Sequence, residues 1–76
     1  MLQKKNLAFG PILRGLRYER NWTQAELAEK LGVAPQHVSM LESSKKFPSL
    51  EMLFKVADAL GVSLTTIAAA MEERLK

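Results

Sequence analysis

Residues 23–42 read TQAELAEKLGVAPQHVSMLE, two short amphipathic segments separated by Gly32-Val33-Ala34. Thr23-Gln24-Ala25-Glu26 has the form of a capping box, in which the Thr23 hydroxyl takes the Glu26 N–H and the Glu26 carboxylate reaches back to the Thr23 N–H. The spacing predicts a helix from Gln24 to Leu31 with Leu27, Ala28 and Leu31 facing inward, and with Trp22 before the cap stapled onto Leu27. Gly32 supplies a left-handed residue to end it. Pro35, which suits a first helical position, opens another helix that runs to about Ser43. A three-residue turn beginning with glycine makes the two helices cross steeply, as in a helix-turn-helix.

The second of these helices points to a function. At about 100° per residue, Val38 and Leu41 define its buried side. Gln36, Met40 and Ser43 then lie nearly opposite, with Ser39 beside them. Surface helices usually carry Glu and Lys, but this face is uncharged. Its amide and hydroxyls both donate and accept hydrogen bonds, and methionine adds an adaptable apolar tip. Base edges in the major groove of DNA present donors, acceptors and thymine methyls, so the chemistry matches. A carboxylate here would be repelled by phosphates, and none occurs between Val33 and Leu41. The reading assigns base contacts to Gln36, Ser39 and Met40, with the Gln36 amide suited to adenine N6 and N7.

Around this pair the chain predicts three more helices and no strands. The first is expected from about Phe9 to Arg20, with Pro11 in its first turn and Asn21 as its stop. Phe9, Leu13 and Leu16 recur at helical spacing, Arg14, Arg17 and Arg20 lie on another side, and Gly15 suggests a close helix contact. The fourth spans Leu50 to Leu60 between a Ser49 cap and Gly61, with an apolar stripe of Leu50, Leu53, Phe54, Ala57 and Leu60. The fifth follows Ser63 and runs from about Leu64 to Leu75, its stripe being Leu64, Ile67, Ala68, Met71 and Leu75. The predicted core is Leu13, Leu16, Leu27, Leu31, Val38, Leu41, Leu53, Ala57 and Leu60, with Trp22 over Leu27. The whole, residues 1–76, reads as a single all-α domain with its helix-turn-helix at about 24–43.

Composition removes several classes of function. The chain has 76 residues, no cysteine and one histidine. No thiolate or histidine-built metal site is expected, and no cofactor. No carboxylate pair, nucleophile with a base, or glycine-rich phosphate loop is present, which argues against an enzyme. No apolar run approaches the roughly 20 residues of a membrane span, and MLQKKNLAFGPIL lacks the apolar region of a signal peptide, so a cytoplasmic protein is expected. Eleven Lys and Arg against eight Asp and Glu give a net charge of +3, which permits a polyanionic partner without requiring one.

A longer pattern runs through the chain: Leu13, Leu16 and Arg17; Thr23-Gln24 with Glu26-Leu27-Ala28; Leu31-Gly32-Val33; Val38, Leu41-Glu42; Lys45-Lys46; Pro48-Ser49-Leu50; and Ala59-Leu60-Gly61-Val62-Ser63. From about Phe9 to Ile67 it resembles the helix-turn-helix domain of the phage-repressor and Cro superfamily, the XRE family. That resemblance implies a compact five-helix, lambda-repressor-like DNA-binding domain, usually dimeric on DNA, that regulates transcription. It also implies a structural salt bridge between Arg17 and Glu42 and a place for Gln24 on the DNA backbone. Three positions depart from the family pattern. Ser44 stands where a glycine is common, Ala34 replaces a hydroxyl cap, and Pro35 occupies the first reading position.

Backbone contacts are accordingly expected from Gln24, His37, Ser43, Lys45 and Lys46, with Arg14 or Lys5 at the margin. Met71 and Leu75 exceed what a short terminal helix needs for docking and are read as a homodimer seam. The expected partner is double-stranded DNA with a two-fold symmetric operator. The competing reading is a protein-interaction module of the same fold, an antitoxin or antirepressor that holds a partner protein. No sensor or toxin-binding extension is expected beyond the fifth helix, so the stand-alone regulator is the favoured expectation.

Overall fold

Five helices follow one another in the computed structural model, which describes the backbone of residues 4–75 and the side chains of residues 8–75. They are α1 (Lys4–Glu19), α2 (Gln24–Leu31), α3 (Pro35–Glu42), α4 (Leu50–Leu60) and α5 (Leu64–Arg74), and no strand occurs among the described residues. Helices α2 and α4 have the predicted bounds. Helices α2, α4 and α5 are capped locally at their starts. Thr23, Ser49 and Ser63 each accept a backbone N–H three residues on, and Gly32 and Gly61 take the left-handed conformation that ends α2 and α4. Asn21 ends α1 in the same way, at φ 57°.

Proline at 11 predicts the start of α1, but the helix begins at Lys4 and runs through it. The Pro11 ring is exposed, while Ala8 and Phe9 just before it are buried. Apolar burial of Phe9 contributes about 1.5–3 kcal/mol, enough to offset much of the cost of a proline in a helix interior, about 3 kcal/mol. The helix also closes at Glu19, so Arg20 lies outside it. There Arg20 donates to the carbonyls of Leu16 and Leu60, tying the ends of α1 and α4 together.

The core is Phe9, Leu13, Leu27, Ala28, Leu31, Val38, Leu41, Val56, Ala57, Leu60 and Ile67, with Leu16, Trp22, Leu53 and Met71 packed at its edge. Two predicted stripes are corrected. On α4 the inward face is Leu53, Val56, Ala57 and Leu60, whereas Leu50 and Phe54 are 64% and 56% exposed. At about 100° per residue Phe54 lies roughly 110° from the centre of that face, so it cannot share it. On α5 only Ile67 is buried; Ala68 is exposed, and Leu64 and Met71 are half-buried.

The sequence suggests a close helix contact at Gly15, but nothing lies within 4 Å of the place where its Cβ would be. The close approach is at Gly10. There a Cβ would fall 2.5 Å from the Glu42 carbonyl oxygen and 2.7 Å from Ser44 Oγ. Helix α1 is thereby pressed against the C-terminal end of α3, and Phe9 meets Phe47 edge-on at 6.1 Å between ring centroids.

Candidate nucleic-acid interface

The turn between α2 and α3 is built from backbone. Gly32 at φ 73° donates to the carbonyls of Ala28 and Glu29, and the Val33 N–H returns to Ala28 at 3.0 Å. Val33 packs on the core, so the turn is closed by an apolar contact as well. Ala34 then gives α3 no side-chain cap, and Pro35 takes its first position. With Val38, Leu41 and Glu42 buried, α3 is fixed in rotation about its axis. Gln36 and Ser43 are exposed, and Ser39 and Met40 are half-buried beside them. No described residue donates to or accepts from the Gln36 amide.

The loop after α3 folds back on it. The Met40 carbonyl accepts from Ser43 Oγ at 3.3 Å, the Lys45 N–H at 2.9 Å and the Lys46 N–H at 3.2 Å. Ser44 adopts φ 66°, the left-handed conformation that glycine accommodates more readily, and is buried against Gly10. Lys45 and Lys46 are therefore held, exposed, just beyond the end of α3. His37 is half-buried and shares a cavity of ≈ 290 Å³ with Lys46, Phe47, Pro48, Ser49 and Met52. Lys5 has its side chain outside the described residues.

Behind this surface lies a buried ion pair. Arg17 donates to Glu42 through Nε at 2.6 Å and Nη2 at 2.9 Å, a two-pronged contact between α1 and α3. Arg17 Nη1 donates to the Trp22 carbonyl at 2.8 Å, so its guanidinium also secures the chain leading into α2. Burial pushes the Glu42 carboxyl up, but hydrogen bonds from Arg17 and Gln24, the Arg17 charge and an Arg14 bond outweigh it and hold it below its ordinary value. The Glu42 hydrogen bond raises Arg17 against the opposing cost of burial.

Two donors on Glu42 carry no sequence signal. Gln24 Nε2 lies 3.1 Å from Glu42 Oε1, and Arg14 Nε 3.4 Å from the same oxygen. They stand 18 and 28 residues away along the chain, and only the folded packing brings them together. The capping box occupies the N–H groups of Thr23 and Glu26. Those of Gln24 and Ala25 are left at the open end of α2. The two proposed seam residues differ: Met71 is half-buried against the core and Leu75 is 44% exposed. No described cluster of three or more His, Cys, Asp or Glu has the form of a metal site, and no single described helix is long and apolar enough to cross a membrane.

A helix-turn-helix family model matches residues 13–67, most of the chain. The sequence is similar to an uncharacterised HTH-type transcriptional regulator of Methanocaldococcus jannaschii, 44% identical over 55 residues, which are 68% of this chain and 83% of that protein. It is also similar to the immunity repressor of Bacillus phage phi105, 34% identical over 80% of this chain, and to the antitoxin HipB of Escherichia coli, 36% identical over 66%. The matched region spans only 42% and 53% of those two proteins. Among solved structures, the clp gene regulator ClgR of Corynebacterium glutamicum superposes with a TM-score of 0.87 at 33% identity, covering 95% of this chain and 94% of that one. The biofilm regulator SinR, solved in complex with DNA, superposes at 0.73 with 36% identity, over 79% of this chain and 97% of SinR. The chain belongs to the helix-turn-helix family of phage-repressor and Cro type, a family of DNA-binding transcriptional regulators.

Proposed function

We propose that this protein binds double-stranded DNA sequence-specifically as a homodimer and represses transcription, with α3 lying in the major groove. The observation that carries this reading is the exposed, uncharged Gln36 on a helix fixed by Val38, Leu41 and Glu42. Ser39 and Met40 extend the base-reading surface. Gln24, His37, Ser43, Lys45 and Lys46 surround it as backbone contacts, with the open N–H groups of α2 beside Gln24. The similarity to a phage immunity repressor and to a regulator solved on DNA supports both the partner and the sign of regulation.

An α3 face without arginine lacks the commonest guanine ligand. Each half-site therefore contains an adenine read by Gln36 and a thymine near Met40. Two copies read a two-fold symmetric operator, because one domain of this size contacts few bases. Selection of bound sites from random duplex DNA tests the proposal. A palindromic motif with an adenine in each half supports it, and recovery of no enriched motif opposes it. The likeness to an antitoxin supports a second reading, in which the same domain also holds a partner protein. Co-purification from the native cell, with the partner identified, separates that reading from a stand-alone regulator.

A further inference from the structure

We propose that Arg14 is a phosphate ligand, and that Glu42 is the positioning residue that aims both Arg14 and the Gln24 amide at one DNA phosphodiester. The inference rests on the DNA-binding reading above and extends it to α1. Its basis is the division of labour around a single carboxylate. Glu42 Oε2 accepts from Arg17 Nε alone at 2.6 Å, while Oε1 accepts from Arg17 Nη2, Gln24 Nε2 and Arg14 Nε at 2.9, 3.1 and 3.4 Å. The Glu42 side chain is fully buried and that of Arg17 is 9% exposed, whereas that of Arg14 is 47% exposed. The cluster thus has a closed side and an open side.

Arg17 is held on the closed side through all three of its nitrogens, with Nη1 donating to the Trp22 carbonyl. The solvent-accessible donors are on the open side. Arg14 holds Glu42 only through Nε, and its two terminal nitrogens have no partner among the described residues. Gln24 gives one amide hydrogen to Glu42 and keeps the other. Both groups hang from the same oxygen atom, close enough to grip one phosphate together.

Charge points the same way. Two guanidiniums against one carboxylate leave a single net positive charge, and it is the exposed guanidinium that faces outward. A half-exposed ion pair at 3.4 Å adds little to stability. Its consequence is orientation: Glu42 restrains a long side chain that would otherwise lose more freedom on binding. Glu42 also lies on α3 itself, so the clamp is fixed in register with the reading face. A free arginine elsewhere on α1 would add charge without that register.

The test compares wild type, Arg14→Gln, Arg14→Lys, Gln24→Ala and the Arg14→Gln/Gln24→Ala double variant on a short random-sequence duplex and on the selected operator. Affinities are measured across a salt series and corrected for the folded fraction by thermal melting. Arg14→Gln lowers the slope of log affinity against log salt by about 1 and weakens both duplexes alike. Arg14→Lys keeps the slope because it keeps the charge. Gln24→Ala weakens binding with the slope unchanged, because the amide is neutral. The double variant loses less than the product of the single losses, as two grips on one phosphate require. An unchanged slope and affinity in Arg14→Gln, or an altered base preference, overturns the role of Arg14, and multiplicative losses overturn the shared phosphate. If wild type fails to retain DNA even at low salt, the DNA-binding reading falls and this inference with it. If wild type binds and Arg14→Gln matches it, only this inference falls.

Discussion

Gly10 in α1 lies directly against the backbone of Glu42 in α3, where a Cβ would come within 2.5 Å of the Glu42 carbonyl oxygen and 2.9 Å of that of Leu41. Both obstacles are main-chain atoms at the end of a helix that is itself held by the Arg17–Glu42 pair. They cannot swing aside as a side-chain tip can. Exchanging glycine for alanine inside a helix ordinarily gains about 1 kcal/mol. At this position steric overlap reverses the sign, and Gly10→Ala is expected to cost about 1–3 kcal/mol. Urea denaturation of Gly10→Ala beside Gly15→Ala measures this. Gly15 has open space around it and should be neutral or stabilising. Equal behaviour of the two variants would contradict the packing described.

The buried pair has a pH signature. Glu42 is held below the ordinary carboxyl value of 4.5 in the folded chain, so the unfolded chain takes up this proton first as pH falls. The stability it supplies is complete above the unfolded value and is lost as pH drops from there through the folded value. Glu42→Gln removes that segment of the stability profile and flattens it below about pH 4.5. Arg17→Met leaves a buried carboxylate without its main partner and should cost about 3–5 kcal/mol at neutral pH. An unchanged acid limb in Glu42→Gln, measured by chemical denaturation at successive pH values, would show that the pair does not set it.

The helix-turn-helix was legible because its signals are local. Thr23, Glu26, Gly32 and Pro35 each act within one helical turn, and the structure places the α2 cap and the following turn where they indicate. The start of α1 was not legible, because the proline signal is local while the burial of Ala8 and Phe9 that overrides it is tertiary. The rotation of α4 was hidden for a similar reason. Leu50 and Phe54 fit a helical stripe as well as Val56 does, and only packing against the rest of the core selects one face. The pairing of Arg17 with Glu42 was available from family resemblance, but the Gln24 and Arg14 bonds to the same carboxylate join elements far apart in sequence. Ser44 gave a partial signal: a place where glycine is common in the family turns out to have positive φ.

Homodimerisation is proposed at Met71 and Leu75, but Leu50 and Phe54 leave more apolar surface exposed on α4. Light scattering over a concentration series distinguishes the two faces. With the seam on α5, Leu75→Glu shifts the protein toward monomer and Phe54→Glu does not. Dissociation by Phe54→Glu alone would move the seam to α4. A monomer at every concentration, on DNA and off it, would remove the dimer.

In the proposed complex α3 reads bases while the groups around it hold phosphate. The most direct measurement compares Gln36→Ala and Lys46→Ala with wild type on the selected operator, its single-base variants and random duplex, across a salt series. Gln36→Ala is expected to cost about 1–3 kcal/mol on the operator and to relax preference at one position of each half-site. Lys46→Ala is expected to weaken every sequence alike and to lower the salt slope by about 1. If Gln36→Ala instead weakened all sequences equally while Lys46→Ala changed base preference, the roles assigned to the reading helix and its flank would be reversed.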